Sequence, residues 1–169
     1  MSKFLIFLLF SGSVLSQINE SWYGIWAGEL FVLSSPESET INTVHMELHI
    51  SPADTAGTYN WRMIYKDSAN DDRKYLLRVL NESAGKYVID EQNGIVIDAG
   101  LYNNKLLTRF IVQGFLADIT YQLEDDRIIF EVIAGSDTPV RSTEGSEENV
   151  KVASFNISNY QRAILYKKQ

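Results

Sequence analysis

Four pairs of turn-forming residues, Asn93-Gly94, Asn103-Asn104, Gln113-Gly114 and Asp125-Asp126, follow one another at intervals of about ten residues. Between them lie short runs of β-branched, aromatic and aliphatic side chains. Asn-Gly and Asn-Asn tolerate the positive φ of tight hairpin turns, so successive runs are expected to fold back on one another. Extending the reading gives strands at Ile25–Leu33, Thr43–Ser51, Thr58–Lys66, Lys74–Asn81, Lys86–Glu91, Ile95–Leu101, Lys105–Val112, Phe115–Glu124 and Arg127–Ile133. A last stretch, Val150–Lys167, breaks near Ser158. No segment sustains helical spacing. The chain is predicted to be all-β, an up-and-down antiparallel meander.

About 8–10 strands joined by short turns leave two edges to manage, and closing the sheet into a barrel removes both. A sandwich needs long cross-over connections. One connection here is long, Ala134–Asn149, rich in Ser, Thr, Gly and Glu, and it reads as a flexible surface loop.

Residues 1–16 carry Lys3, an apolar run from Phe4 to Phe10 and small residues toward Ser16, the order of a signal peptide cleaved after Ser16. The run is shorter than the roughly 20 residues of a membrane-spanning helix. The expectation is a secreted or periplasmic protein, with residues 17–169 as a single barrel domain. Losing Lys3 takes the net charge from -7 to -8, which argues against nucleic acid and anionic membrane as partners. The absence of cysteine excludes disulfides, thiolate metal sites and a cysteine nucleophile.

Alternation assigns faces. Tyr59, Trp61, Met63 and Tyr65 share one face of their strand, Tyr75, Leu77 and Val79 one face of the next, and Phe115, Ala117, Ile119, Tyr121 and Leu123 one face of another. Ile128, Phe130 and Val132 follow. If these point inward, the interior is aromatic, and two readings stand: a pocket, or a filled core. The pocket reading has a small apolar or aromatic ligand against Trp61, Tyr65, Tyr75 and Tyr121, with Arg109 as an anionic anchor. Burying about 250 Å² of ligand at about 25 cal/mol/Å² gives roughly 6 kcal/mol before association costs, so micromolar affinity is the expected scale.

Both histidines lie in TVHMELHIS, residues 43–51, where His45, Glu47 and His49 share the face opposite Val44, Met46, Leu48 and Ile50. Imidazole and carboxylate are competent metal ligands. At about 3.3 Å per residue the histidines stand about 13 Å apart along the strand, so one ion would use Glu47 with one of them. The plainer reading is an outward polar face, and no bound metal is expected. The acid pairs Asp90-Glu91 and Asp125-Asp126 read as turn chemistry. Serine-hydrolase and phosphate-loop motifs are absent, so no catalytic residue or cofactor is assigned.

Gly24-Ile25-Trp26 at the first strand and Gln161-Arg162-Ala163 in the last resemble the calycin superfamily. In lipocalins a Gly-x-Trp triplet starts the barrel and a late arginine packs across the tryptophan. The resemblance implies that Trp26 and Arg162 close the barrel floor. YVIDEQNGIVID and the strands after it also resemble uncharacterised exported bacterial proteins with a lipocalin-like barrel, a likeness that brings no activity with it. The long loop shows no helical pattern where a lipocalin carries its flanking helix, and Ser34–Asn42 is too short for the helical pair that caps fatty-acid-binding proteins.

Three functions follow as expectations. The first is a ligand-binding barrel. The second is a structural or protein-interaction barrel, with an exposed apolar patch beside Trp22 and Tyr23. The third is an enzyme working through His45 and Glu47 with a metal, or through an interior acid such as Glu47, Asp98 or Asp118.

Overall fold

The structure, a computed structural model, describes residues 17–35, 37, 41–66, 71–146 and 150–169; the leader read at residues 1–16 lies outside them. The strands are β1 (Gly24–Leu33), β2 (Asn42–Pro52), β3 (Thr58–Lys66), β4 (Asp71–Asn81), β5 (Lys86–Asp90), β6 (Val96–Tyr102), β7 (Lys105–Val112), β8 (Phe115–Glu124), β9 (Arg127–Ser136), β10 (Pro139–Glu144), β11 (Lys151–Phe155) and β12 (Asn159–Lys167). Ten of them, β1 to β9 and β12, form a closed antiparallel barrel in which β12 pairs with both β9 and β1. Among the described residues the only helical element is a 3-10 turn at Glu82–Ala84, and no helix is long and apolar enough to cross a membrane.

The turn signals act as expected. Gln113 and Gly114 have φ of 48° and 83°, left-handed at both central positions, the geometry that matches the twist of flanking strands. Closure depends on Gly28, because a Cβ there would stand 2.2 Å from the Ile164 carbonyl oxygen of β12. Only a residue without a side chain lets the first and last strands approach this closely.

Closure converts the alternation into inside and outside. Trp61, Met63, Leu77, Tyr121, Leu123, Ile128 and Phe130 are all buried in one core, as the alternating faces require. The end of the barrel holding the Asn103-Asn104 turn, called lower here, is sealed by the segment before β1. Ile18 and Trp22 are 3% and 0% exposed, the Ile18 amide donates to the Tyr87 hydroxyl over 3.4 Å, and the Trp26 indole donates to the Trp22 carbonyl over 2.8 Å. From this plug an aromatic ladder crosses the interior. Trp22 and Trp61 have ring centroids 6.1 Å apart, Trp61 meets Tyr121 edge-on at 5.1 Å, and Tyr121 meets Phe130 at 5.1 Å. These spacings are those of favourable aromatic pairs.

Two expectations are corrected. Trp26 is buried, but Arg162 does not cover it. On β12 the inward residues are Ala163 and Leu165, so Arg162 faces out, pairs in register with Phe31 and Glu131, and stands 3.6 Å from the Glu131 carboxylate. The residue opposite Trp26 is Lys167, whose ammonium lies 5.2 Å from the ring centroid. The described part of the stretch read as a flexible surface loop, 134–146, also carries strand. β9 runs on to Ser136, and β10 pairs with β11 as a separate two-stranded hairpin with every strand residue exposed. Thr and Val in that stretch favour strand.

Candidate functional site

More inward-facing residues are half-buried toward the upper end than toward the lower. Val32, Tyr65, Tyr75, Ile97, Ile119 and Val132 toward the upper turns, and Tyr23, Tyr59 and Val79 toward the lower ones, rest on the core yet remain half-buried; the upper group is called the mouth here. Trp61 and Tyr121, read as ligand walls, are 0% and 1% exposed and belong to the ladder. They floor the mouth rather than line it. Tyr65 and Tyr75 face inward above them and are half-buried.

Arg109 does not serve as an anchor. Leu106 and Thr108 are buried on the inner face of β7 while Arg109 faces out, binding Asp118 of β8 through Nε and one Nη at 2.5 and 3.0 Å. The cation at the mouth is Arg73, two residues before Tyr75 and on the same inward face of β4, paired in register with Met63. Its guanidinium stands 5.0 Å from the Tyr65 ring centroid, and Nε donates to the Asp71 carboxylate over 2.8 Å. Sequence reasoning missed Arg73, although extending the Tyr75, Leu77, Val79 alternation back by one step points to it.

Polar tips converge beneath Arg73. Tyr121 donates its hydroxyl toward Met63 Sδ over 3.1 Å. Burial pushes the Tyr65 hydroxyl up to about 12, with the Arg73 charge opposing and Tyr75 and Asp71 adding. Burial pushes Tyr121 further above the ordinary range. Both are neutral hydroxyls at physiological pH. The mouth thus offers aromatic faces, aliphatic walls, phenol groups and one guanidinium, the mixture of apolar lining and sparse polar groups that characterises small-molecule sites.

Glu47 takes a different role from any read in the sequence. It faces outward from β2 as expected, yet it is 5% exposed. Its Oε1 accepts from Lys66 at 2.5 Å and from Lys168 at 2.6 Å, and its Oε2 lies 2.8 Å from His49 Nε2. His45 reaches the same carboxylate at 3.7 Å through Nε2 while its Nδ1 lies 2.9 Å from Glu29. The two histidines therefore lean toward one group despite their spacing along the strand. Hydrogen bonds from Lys168, then Lys66, hold the Glu47 carboxyl far below the usual range, against the opposing effect of burial. The two ammoniums fill the coordination that a cation would need, and among the described residues no three His, Asp or Glu side chains form a metal-ligand group. Asp98 and Asp118 both lie on the outer face, so neither is an interior acid.

The architecture is that of a calycin-like barrel. Two solved structures share it. One is a protein of unknown function from the DUF3598 family of Nostoc punctiforme PCC 73102, at a TM-score of 0.62 and 10% identity, covering 88% of this chain and 48% of that one. The other is an S-type phycobiliprotein lyase, CpeS, from Guillardia theta, at a TM-score of 0.55 and 9% identity, covering 89% of this chain and 90% of that one. The chain therefore spans about half the length of the first. At these identities the likeness is one of fold. No family model and no curated protein matches the sequence.

Proposed function

We propose that the protein is a binding barrel that holds a small apolar or aromatic molecule in its upper mouth, between Tyr65, Tyr75, Ile97, Ile119 and Val132, with Tyr121 beneath. The observation that carries this reading is the imbalance of the interior: Val32, Tyr65, Tyr75, Ile97, Ile119 and Val132 are half-buried toward the upper turns, against Tyr23, Tyr59 and Val79 toward the lower end, where Ile18 and Trp22 are buried. Half-buried aromatic and aliphatic groups facing into a concavity gain most from a ligand that removes their remaining contact with water. Arg73, in place of Arg109, is the basic group that would orient a ligand carboxylate or sulfonate. The phycobiliprotein lyase with the same fold supports a small-molecule role without identifying the ligand. The leader pattern of residues 1–16 supports export, to be checked by sequencing the N-terminus of secreted protein, with Gln17 expected first.

Dansylglycine, an aromatic ring bearing a carboxylate, tests the mouth. Saturable micromolar binding with a blue-shifted emission is expected. It is lost in Ile119→Trp, which fills the mouth, and weakened in Arg73→Gln. No saturable binding, or binding indifferent to both substitutions, rejects the reading. Native mass spectrometry of protein from its own source identifies any molecule retained through purification.

A further inference from the structure

The barrel wall is not continuous. β6 and β7 leave the Asn103-Asn104 turn as a regular hairpin, but their ladder ends at the pair Ala99 and Thr108. Beyond it Val96, Ile97 and Asp98 on one side and Arg109, Phe110 and Ile111 on the other lie across from each other without pairing. Both strands keep their outer neighbours: β5 stays paired to β6 as far as Val96, and β8 to β7 as far as Val112. The divergence is therefore a split in the wall and not a frayed end. Between the two strands lies a hollow of about 430 Å³.

The walls of the hollow are apolar and wet. Val96 and Ile111 are 58% and 62% exposed, and Ile95 and Val112 are also exposed. Apolar side chains at such density, rimmed by charge, mark a place where a partner removes them from water. The charges choose the partner. Arg109 is neutralised by its two hydrogen bonds to Asp118. Among the described residues Asp98 has no side-chain partner and the Glu91 carboxylate meets only the Asn93 amide, at 3.2 Å. Two carboxylates thus face one apolar hollow whose lining cation, Arg109, is held by Asp118 instead of by either of them, on a chain whose net charge is already -7.

We propose that the split between β6 and β7 is a second small-molecule site, distinct from the mouth, that takes an apolar or aromatic molecule carrying an ammonium group. The ring lies between Val96, Phe110 and Ile111, and the cation meets Asp98 and Glu91 at the rim. The two sites then differ in their charged groups: an Arg73–Asp71 pair at the mouth, carboxylates without a paired cation in the wall.

Two probes with the same fluorophore and opposite charge test this on the full chain: dansylcadaverine, an amine, and dansylglycine, an acid. Dansylcadaverine is expected to bind saturably and more weakly as salt is raised. An exposed ion pair is worth roughly a 1.5- to 5-fold change in affinity, so Glu91→Gln with Asp98→Asn should weaken dansylcadaverine at least about threefold and leave dansylglycine unchanged. Ile111→Gln, which removes an apolar wall at an exposed position, should weaken it further. Unchanged thermal midpoints show that the variants are folded. The proposal is overturned if dansylcadaverine does not bind, if the double variant binds it as the parent does, or if dansylglycine weakens in parallel. Arg73→Gln separates the two sites, because a failed mouth site alters only dansylglycine.

Discussion

The ammonium of Lys167 stands 5.2 Å from the ring centroid of Trp26, and the two residues are partners in register across β12 and β1. A cation thus lies over Trp26, and it is a lysine five residues beyond the arginine that the calycin resemblance implied. Trp26→Ala should cost about 3–5 kcal/mol, as large aromatic deletions in cores do. Arg162→Ala should stay below about 1 kcal/mol, the scale of an exposed ion pair. Chemical denaturation of both variants checks the assignment, and a larger loss at Arg162 would contradict it.

Trp22 seals the lower end from outside the strand ladder. Its removal by Trp22→Ala leaves Trp61 without its stacking partner and with one face open to water. A loss of about 3–5 kcal/mol is expected, together with stronger acrylamide quenching of the remaining tryptophan emission. Quenching equal to the parent's would mean that the plug does not shield the interior.

Glu47→Gln leaves Lys66 and Lys168 facing an uncharged amide. At neutral pH the loss should be about 1–3 kcal/mol, the range for hydrogen bonds to charged groups. The folded-state carboxyl titrates far below its ordinary value, so its contribution is complete above the unfolded value of about 4.3 and fades as pH falls below it. Stability curves of parent and variant should converge as pH is lowered from about 4 toward 2. A difference constant across that range would show that Glu47 acts through packing.

Tyr65 titrates in the opposite sense. Burial raises its hydroxyl from 10.0 to about 12, so the folded state holds its proton after the unfolded chain has lost it. Its contribution is complete below pH 10 and is lost as pH rises through 12. Tyr65→Phe should flatten the fall in stability across that window, and ultraviolet titration of the parent should show its tyrosinate signal delayed to the same range. An unchanged alkaline profile in the variant would place Tyr65 in contact with solvent.

Much of the architecture was legible because a strand writes its burial into every second residue. The bounds read for β3, β7 and β8 match the structure, and Tyr59 to Tyr65, Tyr75 to Val79 and Ile128 to Val132 face inward as their alternation requires. The sequence alone therefore determined the ten barrel strands, their turns, the need to close the sheet and the inward face wherever only one face is apolar, but not the β10–β11 hairpin. It did not determine which face of β7 is inward, because Leu107 and Ile111 alternate with Leu106 and Phe110 and both faces are apolar. Pairing with β8 decides that, setting Arg109 against Asp118 on the outside. Nor does it say which late cation covers Trp26. Arg162 and Lys167 differ in parity, and only the register of β12 on β1 selects between them. Glu47 is the clearest case, since its lysines lie 19 and 121 residues away, and no local pattern reports a meeting that exists only once the barrel has closed. The interior divides for the same reason. Trp22 approaches Trp61 because the segment before β1 turns under the barrel, and that fold-back decides which aromatics become core and which stay half-buried at the mouth.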